Sequence, residues 1–191
     1  ELPLQARTAI GEMLQRPSTQ KSRLSSSARF RIHYDTTGFH QPAMLSGGSP
    51  LPNTHEEYVD SVASVFDQVW TQEIVNLGFG QPPSDGGNGG FGPEYDVYLK
   101  DMAAFGLPGT FGYTDWNGEA QVEAGNRERF ASFIVIENDF FGYRTPGLAG
   151  MRITAAHEFH HAIQIGAYGI WRTIANSDFY FYEITSTWLE D

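Results

Sequence analysis

Two histidines four residues apart, His157 and His161, lie in a largely apolar segment that runs from Met151 to Gly166. In a helix this spacing places both side chains on one face, so both imidazoles can bind one small cation. Glu158 projects from the neighbouring flank, where its carboxylate can contact a water molecule on that cation. The pattern predicts a buried helix with a zinc site and a general base. The alternative is a core helix whose histidines bond to nearby carbonyl groups.

A catalytic zinc site needs a third protein ligand. A third histidine six residues after His161 is excluded because Ala167 occupies that position. Glu183 stands 22 residues after His161, near the start of another predicted helix, and is the preferred candidate. Asp178 and Glu190 compete with it, but Asp178 occupies an N-cap-like position and is expected to cap the helix.

The helix that carries Glu183 is also predicted to support the ligands from behind. Thr187 and Glu190 fall on the same face as Glu183, where they can hydrogen-bond the metal-binding side chains.

The histidine helix has boundary signals of its own, which are a threonine at the start and two glycines at the end: Thr154, Gly166 and Gly169.

The motif from His157 to His161, followed by Glu183, resembles the gluzincin (thermolysin-like) branch of the zincin metalloproteases. The chain also resembles a group of secreted bacterial metalloproteases over about residues 28 to 191, through Phe30–Gly38, Tyr95–Asp101 and Thr154–Gln164. The resemblance implies an α+β, zincin-like fold in which a mixed twisted sheet packs on an active-site helix and a long backing helix. It also implies one catalytic zinc ion, bound by His157, His161 and Glu183.

By the same resemblance the chain is expected to be an endopeptidase that hydrolyses peptides or proteins through a zinc-bound water activated by Glu158. The strand before the metal helix is expected to be the sheet edge that pairs with substrate, and the apolar run Ala131–Glu137 is its candidate. Glu137-Asn138 also resembles the amine-anchoring strand of aminopeptidases, so a zinc aminopeptidase is one alternative. A non-catalytic, zinc-stabilised peptide-binding module is the other.

The resemblance leaves two parts of the site open. The oxyanion formed during hydrolysis needs a further donor, and three tyrosines near Glu183 are candidates: Tyr168, Tyr180 and Tyr182. Thermolysin-like enzymes build the other wall of the cleft from a helical subdomain, which would follow Asp191. We therefore expect that a C-terminal subdomain is missing from this sequence.

Composition excludes several classes of function. The formal net charge of −11 argues against nucleic-acid binding, because a phosphate-binding surface needs clustered cations. No apolar run is long enough for a membrane span. Cysteine is absent, so any zinc must be bound by histidine and carboxylate, and the composition suits a secreted bacterial enzyme.

The charges are unevenly distributed. Residues 1–31 contain six basic and two acidic residues, whereas the remainder contains six basic and 21 acidic residues. We expect a basic N-terminal arm, residues 1–28, and a catalytic domain, residues 29–191. Residues 18–27 are predicted to be a linker. The arm is either part of a propeptide or a surface arm on an acidic face.

The remaining patterns predict scaffold and loops. Residues Thr54 to Glu57 form a predicted capping box at the start of a long helix that continues to Leu77. Alternating apolar residues predict strands at residues 30–34 and 95–100, and a shorter strand is predicted at 110–114. The Gly- and Pro-rich residues 80–93 predict a loop, and nearby oxygen ligands make a calcium site conceivable: Asp85, Asn88 and Asp96.

Overall fold

A mixed five-stranded sheet forms the centre of the chain. The computed structural model describes residues 15–89, 92–116, 119, 121–123, 128–170 and 179–190, with only the backbone of 121–123 and 179. The strands are β1 (Lys21–Leu24), β2 (Phe30–Tyr34), β3 (Leu45–Ser46), β4 (Ser49–Pro50), β5 (Tyr95–Lys100), β6 (Gly112–Asp115), β7 (Gln121–Glu123), β8 (Arg129–Phe130) and β9 (Phe133–Glu137). The order across the large sheet is β1-β2-β5-β9-β6. Its three central strands are parallel, and both outer strands are antiparallel to their neighbours.

Three helices complete the described fold, and they confirm the α+β class. They are α1 (His55–Trp70), α2 (Gly147–Tyr168) and α3 (Phe179–Trp188), and α1 continues as a π-helical turn, Thr71–Asn76. Gly169 ends α2 in the left-handed conformation, with φ at 62°. No described helix has both the length and the apolar character needed to cross a membrane.

The main core lies between the sheet and the two longer helices. The fully buried aromatic side chains of Phe30, Phe66 and Phe159 come from β2, α1 and α2, and the ring of Phe30 contacts the other two. Burial of such side chains contributes roughly 1.5–3 kcal/mol each to folding. The metal-motif helix is therefore fixed on the sheet by its Phe159 face, with α1 as the backing helix.

The described part of the N-terminal arm, residues 15–28, contributes a strand to the large sheet. β1 pairs with β2, so the predicted linker at residues 18–27 is wrong. The serines that suggested a linker form the turn after β1, where Ser25 and Ser27 donate hydrogen bonds to Asp67. At the other end of the strand, Lys21 Nζ lies 2.6 Å from Glu56 Oε1. β1 therefore belongs to the same sheet as the strands that follow residue 28.

The helix start predicted at Thr54 is confirmed but its capping bond is absent, and the start predicted at Thr154 is wrong. The Thr54 side chain makes no capping bond and instead donates to the carbonyl of Leu51 and accepts from the amide of Met44. Thr154 lies inside α2, which begins seven residues earlier at Gly147, and its hydroxyl donates to the carbonyl of Gly150. In both cases the hydroxyl satisfies a carbonyl near it rather than the free amides of a helix end.

The strand expected at the sheet edge is an interior strand. β9 lies between β5 and β6, so the expectation that residues 131–137 form the substrate-pairing edge is wrong. All five residues of β9 are buried, as is typical of a strand covered on both faces. β6 is the edge strand instead.

Arg16 connects the arm to the acidic body at a buried site. Its guanidinium forms ion pairs with Asp85 at 2.6 Å, with Glu119 at 2.8 Å and with Asp96. The side chains of these four residues are between 2 and 12% exposed. Three buried carboxylates thus depend on one cation from the arm.

We predict that Arg16→Leu destabilises the protein by about 3–5 kcal/mol, because three buried carboxylates lose their counter-ion. Arg23→Leu is the control, since Arg23 pairs with exposed acidic residues and should cost at most about 1 kcal/mol. Chemical denaturation measures both losses. Equal losses in the two variants would contradict a buried, charge-dependent attachment.

A second buried polar pair joins the π-helical turn to α2. Glu73 Oε2 lies 3.1 Å from His160 Nδ1, and both side chains are almost completely buried. Burial raises the pKa of Glu73 to about 9 and lowers the pKa of His160 to about 4. Both groups are therefore neutral near pH 7 and share one hydrogen bond.

Because Glu73 ionises in the unfolded chain but not in the folded one, its contribution to stability is complete below about pH 4.5 and falls as the pH rises towards 9. We predict that Glu73→Gln removes this loss, so the variant gains stability relative to the wild type at pH 8 more than at pH 5. Urea denaturation at the two pH values measures the difference. An equal difference at both would show that Glu73 is ionised in the native state.

Candidate metal centre

The two histidines of the sequence motif lie in a cleft of about 690 Å³ between β6, the middle of α2 and α3. His157 and His161 are one turn apart on α2, and their Nε2 atoms are 3.0 Å apart. Glu183 of α3 completes a triangle with them. Its Oε2 atom lies 3.5 Å from His157 Nε2 and 3.8 Å from His161 Nε2. The structure therefore brings the three predicted ligands together.

Hydrogen bonds on the far side of each ring set which nitrogen carries the proton. His157 Nδ1 lies 2.7 Å from Glu190 Oε1, and His161 Nδ1 lies 2.8 Å from Gln164 Oε1. The Gln164 amide is oriented in turn, because its Nε2 donates to the carbonyl of Tyr182. With each Nδ1 engaged on the far side of its ring, the Nε2 atoms are the nitrogens that can bind a cation.

This arrangement fits a divalent cation. Two nitrogen lone pairs 3.0 Å apart repel each other unless a positive charge lies between them. Tetrahedral zinc with Zn–N distances of about 2.0–2.1 Å spaces its ligands roughly 3.3 Å apart, which is close to the three observed separations. Within the described part of the chain, no other group of three or more histidine, aspartate or glutamate side chains has its ligand atoms within 4.8 Å of one another.

The ionisation of the two carboxylates also suits the site. Hydrogen bonding to His161 lowers the pKa of Glu183, so this carboxylate is ionised at neutral pH. Burial raises the pKa of Glu158, which is 6% exposed and lines the cleft next to the histidine pair. A carboxylate with a raised pKa is suited to accept and return a proton near neutrality.

Of the two residues predicted to support the ligands, Glu190 lies against His157, whereas Thr187 is exposed and away from the ligands. Ser186 takes the place expected for Thr187, because its Oγ lies 3.0 Å from His161 Nδ1. Among the competing third ligands, Glu190 contacts the outer nitrogen of His157. Asp178 lies outside the described residues.

The structure separates the three candidate tyrosines. Tyr182 lines the cleft and is 5% exposed, and its ring stacks on His161 with centroids 3.9 Å apart. Tyr168 lies elsewhere, where its hydroxyl accepts a hydrogen bond from the amide of Gly80. Tyr180 is 74% exposed and is not part of the cleft lining. Burial raises the pKa of Tyr182 well above its ordinary value, so its hydroxyl stays protonated.

The carboxylates considered for calcium face a different cation. Asp85 and Asp96 both bind the guanidinium of Arg16, and the Asn88 amide donates to Glu119. Arg16 therefore supplies the positive charge that these oxygens need.

Sequence reasoning missed three residues that contact the motif: Gln164, Ser186 and Thr114. Gln164 could have been found from its spacing, because it stands three residues after His161 on the same helix face. Ser186 and Thr114 come from other elements, and only the packing of α3 and β6 against α2 brings them to the site.

The chain has no match among protein-family models, curated proteins or solved structures. The interpretation of the site has to come from its own chemistry.

We predict that the purified protein binds about one zinc ion per chain and that a chelator lowers its melting temperature, because the ion stabilises the folded state. His161→Ala should lose the ion and the response to the chelator together. His55→Ala is the control, because His55 lies at the start of α1 with Gln41 as its partner. Metal analysis and thermal melting measure both effects, and full zinc content in His161→Ala would contradict the assignment.

Proposed function

We propose that this protein is a zinc-dependent endopeptidase of the gluzincin type, with a zincin-like fold. The observation that carries the proposal is the triangle of His157 Nε2, His161 Nε2 and Glu183 Oε2, with the buried Glu158 carboxylate beside it. These three side chains would hold the ion. A bound zinc ion lowers the pKa of water and polarises a substrate carbonyl.

The residues of the chain carry the proton steps. Glu158 accepts the proton that the attacking water gives up, and later returns it to the nitrogen of the leaving amine. The raised pKa of Glu158 favours the form that holds the proton between the two transfers. Its buried position keeps other water away from the carboxyl group. Glu190 and Gln164 hold the two imidazoles in orientation throughout, since their bonds to Nδ1 do not involve the reacting atoms.

The edge strand β6 offers a place for an extended substrate. The amide of Glu137 donates to the carbonyl of Phe111 at 2.9 Å, which identifies these two residues as a hydrogen-bonded pair of the antiparallel ladder. Such pairs alternate, so the peptide groups of Gly112 and Thr114 point away from β9. They face the side on which a peptide can add to the sheet. Both residues line the cleft.

Tyr182 is the tyrosine best placed to support the reaction. Because its hydroxyl remains protonated, it can donate a hydrogen bond to an oxygen that becomes negative during hydrolysis. Its stacking on His161 keeps the ring beside the ligand set.

The structure gives no support to an aminopeptidase. Glu137, the expected amine anchor, is 4% exposed and lies outside the cleft lining. Its Oε2 atom accepts from the amide of Met102 at 2.8 Å and from the hydroxyl of Tyr143 at 3.1 Å. These bonds join the loops after β5 and β9, which is a structural role.

We predict that Glu158→Gln retains about one zinc ion per chain and loses peptide hydrolysis by roughly 100-fold or more, because the amide cannot accept the proton. Cleavage of an unfolded protein substrate and metal analysis of the same preparation measure the two properties. Glu57→Gln, an exposed substitution on α1, is the matched control and should retain full activity.

Two outcomes would overturn the proposal. Unchanged hydrolysis by Glu158→Gln would exclude the assigned base. A zinc-loaded wild-type protein that binds peptides without cleaving them would favour the non-catalytic peptide-binding module instead.

A further inference from the structure

Thr114 lies on the edge strand β6 and contacts Glu158 of α2 twice. Its Oγ1 atom lies 2.9 Å from Glu158 Oε2 and 2.8 Å from the main-chain carbonyl of the same residue. Among the described residues, Thr114 provides the one hydrogen-bond donor to this carboxylate. The one hydroxyl hydrogen of Thr114 is shared between these two oxygens, so a single side chain of the sheet edge restrains both the backbone and the carboxylate of Glu158.

The close approach of the strand to the helix depends on Gly112, two residues before Thr114. A Cβ atom at this position would lie 2.9 Å from the carbonyl oxygen of Val135 and 3.3 Å from Glu158 Cγ. Any larger residue would push β6 away from its neighbours. The glycine thus keeps the strand within hydrogen-bonding reach of Glu158.

We infer that Thr114 is a positioning residue that couples substrate pairing on β6 to proton transfer by Glu158. The inference rests on the proposed function. The main-chain groups of Thr114 face outward for a substrate strand, whereas its hydroxyl faces inward and holds Oε2 of the carboxylate. The restraint leaves Oε1 of Glu158 as the oxygen that accepts the proton. The same residue thus sets the distance between the paired peptide and its base.

The test compares Thr114→Val, which keeps the β-branched shape without the hydroxyl, with Thr114→Ser, which keeps the hydroxyl. A hydrogen bond to a charged group contributes about 1.5–3 kcal/mol, so we expect Thr114→Val to lower kcat by roughly 10- to 100-fold. Its KM should change by less than about twofold, because the main-chain pairing is unaltered. Thr114→Ser should recover most of the lost kcat.

Three measurements separate positioning from folding. Thr114→Val should retain about one zinc ion per chain and the melting temperature of the wild type. A peptide should bind equally to Glu158→Gln and to Glu158→Gln with Thr114→Val, in a measurement that needs no turnover. Thr71→Val is the matched control, because the Thr71 hydroxyl donates to a helix carbonyl far from the cleft.

Failure of the inference about Thr114 can be told apart from failure of the proposed endopeptidase function. If the wild type cleaves peptides and Glu158→Gln does not, but Thr114→Val keeps a wild-type kcat, the inference is overturned alone. An equal loss in the Val and Ser variants, or a loss of peptide binding, would also overturn it. If the wild type cleaves nothing, the endopeptidase proposal itself fails, whereas the binding measurement still tests the main-chain role.

Discussion

The Nε2 atoms of two histidines face each other at 3.0 Å, and hydrogen bonds on the far side of each ring keep them there. Two unprotonated nitrogens at this distance repel each other unless a cation lies between them, so each ring is held from outside. Glu190 and Gln164 do this through the opposite nitrogens. Because Gln164 is fixed by the carbonyl of Tyr182 on α3, the helix that brings Glu183 also orients His161. The packing of α3 on α2 therefore positions two of the three metal ligands, Glu183 and His161, at once.

The sheet contributes to the same constraint from the other side. Phe159 packs against Phe30 and Tyr95 of the central strands, so the buried face of α2 is fixed on β2 and β5. The opposite edge of the helix then faces β6. Gly112 allows the strand to approach, and Thr114 reaches Glu158. The base is thus held between two elements that are distant in sequence, in a position that a helix alone would not define.

The sequence was most informative where one local pattern determines the outcome. The spacing of His157 and His161 predicted a shared helix face, and alternating apolar residues predicted β2 and β5.

The sequence was misleading where several local hydrogen-bonding choices have similar energies. Thr54 had a capping partner in the sequence, yet its hydroxyl bonds to Leu51 and Met44 because the preceding turn lies closer. The continuous apolar run of β9 is typical of an interior strand, whereas the resemblance to zincins implied an edge strand. Contacts such as that of Ser186 with His161 depend on tertiary packing, which periodicity does not describe.

The distribution of charge adds a reason for a cation in the cleft. The basic residues of the arm are used elsewhere, since Arg16 and Arg23 pair with acidic groups outside the cleft. The described residues that line the cleft include four acidic side chains but no lysine or arginine: Asp115, Glu158, Glu183 and Glu190. Hydrogen bonding with His161 keeps Glu183 ionised, so negative charge remains at the histidine pair. A divalent ion bound between the two imidazoles would balance this charge. The same ion would remove the repulsion between the two nitrogens and would balance the negative charge of the carboxylates. This explains why the close histidine pair and the acidic lining occur in one place.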